Sequence, residues 1–137
     1  MTTLRTIGYG RAVSAGDRPF EEIVDRVKTL LKDEGFGVLC EIDVTAAMRE
    51  KLGETFRPYR ILGACNPQLA HTALSEEPQL GLLLPCNVVV QEERGRVVVS
   101  AVDAGAMLRV VGNAALDPVA VDANARLNRV LDRIAAE

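Results

Sequence analysis

A chain of 137 residues, 48% of them hydrophobic and 26% charged, has the length and composition of one folded domain and needs no disulfide or metal to hold its core. Sixteen basic and nineteen acidic residues give a net charge of −3, which argues against a nucleic-acid-binding face, and an aromatic content of 4% without tryptophan argues against base stacking. We therefore expect a single domain spanning residues 1–137 with no nucleic-acid partner.

The start of the chain and its cysteines bear on location. The first ten residues contain no apolar leader, and the apolar runs further on are too short to span a bilayer. Three cysteines are an odd number in a chain that needs no disulfide. These features favour a cytoplasmic protein with free thiols and no membrane partner.

The N-terminal segment predicts a strand followed by a helix. Residues 4–13 read as a strand that contains two glycines, where the strand bulges or approaches another backbone closely. Apolar residues then recur at helical spacing from residue 20 to residue 31. We expect Asp17 to be the N-cap of this helix and Gly35 to end it.

A second strand is predicted over residues 36–44, whose side chains alternate between two faces. One face is an apolar row of Val38, Cys40, Ile42 and Val44. Cys40 is therefore expected to be a small residue of the core. Glu41 lies in the opposite row, where an exposed, solvated carboxylate is its simplest role.

The middle of the chain predicts a short helix, a third strand and a further helix. The short helix follows Thr45, its expected cap, and the strand covers residues 57–64. The pair Asn66-Pro67 has the residue types of an N-cap and a first helical position, and Pro78 ends the helix that follows. The expected buried stripe of this helix consists of Leu69, Ala70, Ala73 and Leu74.

The next segment predicts a hairpin with strands at residues 81–92 and 96–102. A two-residue turn between them sets a register in which the paired residues are Glu93 with Arg96, Val90 with Val99, Val88 with Ala101 and, by extension, Cys86 with Asp103. Both faces of the hairpin are apolar. Because the helices can cover only one face, we expect a second copy of the chain to cover part of the other.

The last helix is predicted to begin at Asp117-Pro118, with Asp117 as its cap, and to continue to the C-terminus. The hairpin signals favour a largely antiparallel sheet. The fold class is therefore α+β in two layers, with a short helix between the third and fourth strands.

Four segments of the chain resemble the DUF302 family: GFGVLCEIDV (35–44), ILGACNPQLAHTAL (61–74), GLLLPCNVVV (81–90) and VDAGAM (102–107). The resemblance runs in order from about residue 15 to residue 110 and includes both Cys-Asn pairs. It implies a β-α-β4-α arrangement like that of the TATA-box-binding-protein fold, and a homodimer, since a known member forms one. The family name denotes an undescribed function, so the resemblance implies a fold and no activity.

The two Cys-Asn pairs are the strongest candidates for a site. Cys65 directly precedes the cap of a helix whose N-terminal dipole would stabilise a thiolate. If the third and fourth strands are neighbours, Cys65 and Cys86 face one pocket. The polar groups that could complete this site are Asn66, Asn87, His71 and Glu41.

Four interpretations of these residues remain open. The cysteines are core residues and the asparagines only cap and turn; or they hold a small ligand or a soft metal such as zinc or copper(I); or Cys65 is the nucleophile of a thiol-dependent redox or sulfur-handling enzyme, with His71 as its base; or the chain is purely a structural dimerisation module. We favour a binding or sensing domain. The sequence assigns no ligand, cofactor or catalytic residue.

Overall fold

The computed structural model describes residues 5–137. Two segments, Pro78–Leu83 and Ala114–Leu116, are short 3-10 helices. The remaining elements, in chain order, are β1 (Arg5–Ile7), β2 (Gly10–Gly16), α1 (Phe20–Asp33), β3 (Gly37–Asp43), α2 (Val44–Leu52), β4 (Tyr59–Cys65), α3 (Pro67–Glu76), β5 (Cys86–Glu93), β6 (Arg96–Val102), α4 (Ala104–Arg109) and α5 (Asp117–Ala136).

The strands form one six-stranded sheet in the order β1-β2-β6-β5-β4-β3, and every neighbouring pair is antiparallel. This arrangement confirms the predicted α+β class with an antiparallel sheet. Among residues 5–137, no helix combines the length and hydrophobicity needed to cross a membrane.

Helices α1 and α5 pack on one face of the sheet and form the main core with it. Alternate residues of the central strands point to this face, and Val13, Leu62, Val90 and Val99 are each at most 1% exposed. Burying a side chain of this size contributes roughly 1.5–3 kcal/mol. The helices add the other half of the core with Ile23, Val24, Val27, Leu30, Leu31, Leu127, Val130, Leu131 and Ile134.

The opposite face of the sheet, here called the open face, carries one row of paired residues across five strands. The row consists of Ile42, Ile61, Val89, Ser100 and Ala12. Ile42 is 48% exposed, and Ile61 and Val89 are half-buried. This row is therefore largely apolar and incompletely covered, whereas the β5 residues Asn87, Gln91 and Glu93 on the same face are polar.

The predicted first strand is wrong in one respect, because it is a hairpin and not a single strand. β1 and β2 pair with each other, with Ile7 opposite Gly10. Gly10 also approaches the carbonyl of Ala101 so closely that a Cβ there would lie 2.8 Å from the oxygen. Leu4, the predicted start of the strand, lies outside the described residues.

The second hairpin has the predicted turn and register near its tip. Glu93 pairs with Arg96, and the predicted pairs at Val90 and Val88 are also formed. The start of this strand was predicted wrongly, because residues 78–83 are a 3-10 helix and β5 begins at Cys86. The predicted pairing of Cys86 with Asp103 is not formed, since Cys86 pairs with Ala64 of β4.

Helix caps were predicted with mixed success. Asn66 caps α3, as predicted, and its Oδ1 accepts a hydrogen bond from the Leu69 amide. Asp17 does not cap α1, and Asp117 is the first residue of α5 and not its cap. Asp43 caps α2, whereas the hydroxyl of Thr45 bonds to the chain entering β4.

Candidate functional site

The ends of β4 and β5 place Cys65 and Cys86 beside one cavity. Ala64 pairs with Cys86, and Cys65 is the next and last residue of β4. Regular alternation would point the two thiols to opposite faces. At the end of the strand, however, both cysteines line a cavity of about 320 Å³, which is within the size range of small-molecule sites.

The wall of this cavity is almost entirely apolar. Asn66 is the one polar amide side chain among the lining residues of the described chain, and no charged side chain lines it. The complete lining is Phe36, Leu39, Ala64, Cys65, Asn66, Leu69, Ala70, Ala73, Leu74, Leu80, Gly81, Leu84, Pro85, Cys86, Ala104, Met107, Leu108, Val119 and Ala123.

The cavity exists because many of the side chains around it are small. The helices that surround the cavity, α3, α4 and α5, each present alanine to it, at Ala70, Ala73, Ala104 and Ala123. Protein interiors are otherwise packed to crystal-like density, so a void of this size needs several small residues in contact. The four residues predicted as the buried stripe of α3 all line the cavity, although Leu74 is 38% exposed.

Two leucines mark the opening of the cavity. Leu39 on the edge strand β3 is 71% exposed and Leu74 on α3 is 38% exposed, yet both contribute to the lining. Leu82, in the 3-10 helix beside the lining residue Gly81, is 83% exposed. Leu82 does not line the cavity, but exposed leucines that do, such as Leu39 and Leu74, are typical of ligand-binding or partner-binding surfaces.

The cysteines of the cavity are reduced. None of the three cysteines, all of which lie in the described chain, forms a disulfide. Burial raises the pKa of the Cys86 thiol to about 11, with a smaller contribution from the nearby Cys65. Cys86 is therefore an uncharged thiol at neutral pH.

Asn66 is held in place at the N-terminus of α3. It is 8% exposed, and its Oδ1 is engaged by the Leu69 amide at 3.1 Å. Its amide group lies against Gly35, where a Cβ would come within 2.9 Å of Nδ2. The backbone at Gly35 also has a positive φ of 84°, so glycine suits this position on two grounds.

Three of the predicted site residues lie away from the cavity. His71 is exposed on α3, and Asn87 is exposed on β5 opposite Gly63. Glu41 lies between α1 and β4, and Lys28 Nζ of α1 and Arg60 Nη1 of β4 each lie 2.6 Å from its carboxylate oxygens. The hydrogen bond from Lys28, followed by that from Arg60, holds the pKa of Glu41 below its ordinary value.

Cys40 is exposed, so its predicted place in the core was wrong. It lies on β3, an edge strand that pairs only with β4, and the register shifts between Val38 and Cys40. Its Sγ lies over Gly63, where a Cβ would come within 2.5 Å of the sulfur. Cys40 does not line the cavity.

A metal site is not formed by these residues as they stand. Within residues 5–137, no group of three or more histidine, cysteine, aspartate or glutamate side chains is placed to hold a metal ion. The cavity offers two thiols, and the histidine that could have joined them is on the surface of α3.

The sequence matches the domain of unknown function DUF302 over residues 12–134. The chain belongs to the DUF302 family. A solved structure, that of an uncharacterized conserved DUF302 protein from Bacillus stearothermophilus, is 35% identical to this chain, with a TM-score of 0.84. The match covers 91% of this chain and 97% of the other. No curated protein matches the chain.

Proposed function

We propose that this DUF302 domain is a binding or sensing domain that holds a small molecule in the cavity beside Cys65 and Cys86. The observation that carries the proposal is the cavity of about 320 Å³, with its apolar wall and exposed leucines at its mouth. Largely apolar, preformed concavities with a few polar groups are the usual form of small-molecule sites.

The alternative functions have less support. A thiol enzyme needs a base near its nucleophile, and His71, the single histidine of the sequence, is exposed and outside the cavity. A soft metal needs further ligands beyond the two thiols. Core packing alone does not explain why five alanines line a cavity of this size.

Native mass spectrometry, with a denatured sample beside it, tests the proposal. The wild-type protein is expected to retain an added mass that denaturation removes. Ala70→Leu, which puts a larger side chain into the cavity, is expected to lose this mass. Ala125→Leu is the matched control, because it makes the same change at an exposed position of α5.

If Ala70→Leu retains the mass as well as the control does, the ligand is bound elsewhere and the proposal is wrong. A wild-type protein that retains no mass and takes up no compound from a panel of small molecules would also contradict it.

We also propose that a second copy of the chain covers the open face. The support is the apolar part of the row that crosses this face, in which Ile42, Ile61 and Val89 are partly exposed. In a two-fold dimer the same surface patch of each subunit contacts its own copy, and an apolar row can pack against itself in this way.

Sedimentation velocity tests the dimer. Ile42→Arg is expected to shift the protein toward the monomer, because a guanidinium would have to be buried at the contact. Val121→Arg changes an equally apolar residue that is 70% exposed on α5 and is expected to leave the dimer intact. A monomeric wild-type protein at high concentration would refute the proposal.

A further inference from the structure

We infer that the ligand of the Cys65–Cys86 cavity is an uncharged, hydrocarbon-rich molecule of roughly ten to twelve carbon atoms. This inference rests on the proposed function and adds the chemical class of the ligand. It follows from the charge, the hydrogen-bonding groups and the volume of the cavity.

Within the described part of the chain, the cavity has no carboxylate, ammonium, guanidinium or imidazole side chain to pair with a charged ligand. Of its thiols, that of Cys86 is held in its neutral form by burial. Placing an isolated carboxylate or ammonium in such surroundings is strongly unfavourable, even after the protein relaxes. A charged ligand would therefore bind much more weakly than a neutral one of the same shape.

Two of the backbone donors at the helix N-termini beside the cavity are already engaged by asparagine side chains. A helix N-terminus can attract an anion through its free N–H groups, and α3 and α4 both begin at the cavity wall. At α3, the Leu69 amide donates to Asn66 Oδ1 at 3.1 Å. At α4, the Ala104 amide donates to Asn124 Oδ1 at 2.8 Å. These bonds occupy two of the backbone N–H groups that could otherwise attract an anion.

The volume limits the size of the ligand. A dry apolar cavity of about 150 Å³ accepts one benzene molecule, and this cavity is about 320 Å³. A molecule with two fused rings, or a short branched hydrocarbon with one polar group, therefore fits. The size of the cavity depends on the small side chains of α3 and α5 in its wall, which are Ala70, Ala73 and Ala123.

The ligand is expected to enter between β3 and α3. Leu39 and Leu74 belong to the lining and are also exposed, so they connect the interior of the cavity to solvent. A single polar group on the ligand would remain at this opening, in contact with water, while the hydrocarbon part occupies the interior.

Three naphthalene derivatives of nearly equal shape test the charge requirement: 2-naphthol, 2-naphthoate and 2-naphthylmethylammonium. Isothermal titration calorimetry at pH 7 is expected to show binding of 2-naphthol and at least tenfold weaker binding of both ions. Ala70→Leu is expected to weaken 2-naphthol binding at least tenfold, whereas Ala125→Leu is expected to leave it unchanged. A hydroxypyrene, with four fused rings, is expected not to bind.

The outcomes separate this inference from the proposed function. If an ion binds as tightly as 2-naphthol and Ala70→Leu abolishes both, the cavity is a ligand site but the inferred ligand class is wrong. If none of the naphthalenes binds while native spectra show a retained mass that Ala70→Leu loses, the inferred class is again wrong and the site stands. If Ala70→Leu and Ala125→Leu bind 2-naphthol equally, the compound binds elsewhere and the inference is overturned.

Discussion

Gly63 occupies a position in β4 at which a larger residue has no room. A Cβ there would lie 2.8 Å from Cγ of Pro85 and 2.5 Å from Sγ of Cys40. The exposed Cys40 thiol can rotate away, but the ring of Pro85 cannot. Gly63→Ala should therefore destabilise the protein by about 1–3 kcal/mol in urea unfolding, despite the smaller backbone entropy that alanine loses on folding.

Gly37→Ala is the control for this prediction. Gly37 is also a strand glycine, at the start of β3, and no atom lies within 4 Å of a Cβ built on it. The control variant should be as stable as the wild type or slightly more so. Equal stability of the two variants would show that the contacts at Gly63 relax without cost.

Cys40 and Cys86 should differ strongly in their reactivity. Thiolates, not thiols, are alkylated, and the pKa of Cys86 is raised to about 11 by burial. At pH 8, iodoacetamide should therefore modify the exposed Cys40 long before Cys86. Between pH 8 and pH 10, the rate at Cys86 should increase about tenfold per pH unit, as its thiolate fraction does.

Peptide mapping of time points measures these rates. A urea-unfolded sample is the control, because unfolding removes the desolvation at Cys86 and its rate should then approach that of Cys40. Modification of Cys86 as fast as Cys40 in the folded protein at pH 8 would contradict the burial that we describe.

At the residue scale, the sequence could predict what depends on neighbours along the chain. The Asn66 cap follows from the pair Asn66-Pro67, and the structure contains it. The exposure of Cys40 could not be predicted, because it depends on β3 being an edge strand. Likewise, Glu41 pairs with Lys28 of another element, and local sequence contains no signal for that contact.

The carboxylate of Asp103 accepts hydrogen bonds from both α4 and α5. Asp103 caps α4 by accepting a hydrogen bond from the Ala106 amide, and Asn124 of α5 donates a second one at 2.9 Å. The bond from Asn124 is the largest cause that lowers the pKa of Asp103 below its ordinary value. Asp103→Ala should therefore cost about 1–2 kcal/mol at pH 7, in the range of other lost N-caps.

The pH dependence of this loss follows from the lowered pKa. Because the folded state favours the ionised carboxylate, the contribution of Asp103 is fully present above its ordinary pKa of 3.8 and is lost as the pH falls through the folded value. Urea unfolding at pH 7 and pH 3 should show a smaller difference between wild type and Asp103→Ala at pH 3. Asp132→Ala, at an exposed position of α5, should show little difference at either pH.

At the element scale, periodicity predicted the helices better than the strand ends. The turn at Arg94 and Gly95 was predictable from the ERGR segment between two apolar runs, and both residues take the positive φ angles of a two-residue hairpin turn. The apolar run from residue 81 to residue 85 was not, since a short apolar run is compatible with a strand and with a helix. Residues of this run line one side of the cavity, and the spacing of apolar residues along the sequence does not predict such a tertiary contact.

At the scale of the whole molecule, the cavity shares its inner wall with the hydrophobic core, whereas its exposed opening lies outside the core. Leu30 lies between α1 and the sheet and is 1% exposed, whereas Leu39 lies at the mouth of the cavity and is 71% exposed. Leu30→Ala should therefore cost about 2–5 kcal/mol in urea unfolding. Leu39→Ala, the same chemical change, should alter stability by less than about 0.5 kcal/mol.

The same pair of variants separates folding from binding. Leu39→Ala should weaken 2-naphthol binding because it removes part of the cavity mouth, and it should do so at unchanged stability. Leu30→Ala should retain the affinity for 2-naphthol under conditions in which it is still folded, because Leu30 does not line the cavity. If Leu39→Ala lost as much stability as Leu30→Ala, Leu39 would be covered in solution, and a second copy of the chain reaching over β3 would account for that covering. Repeating the unfolding measurement over a hundredfold range of protein concentration distinguishes covering by a second copy from covering within one chain. Only the contribution of a dimer contact depends on protein concentration.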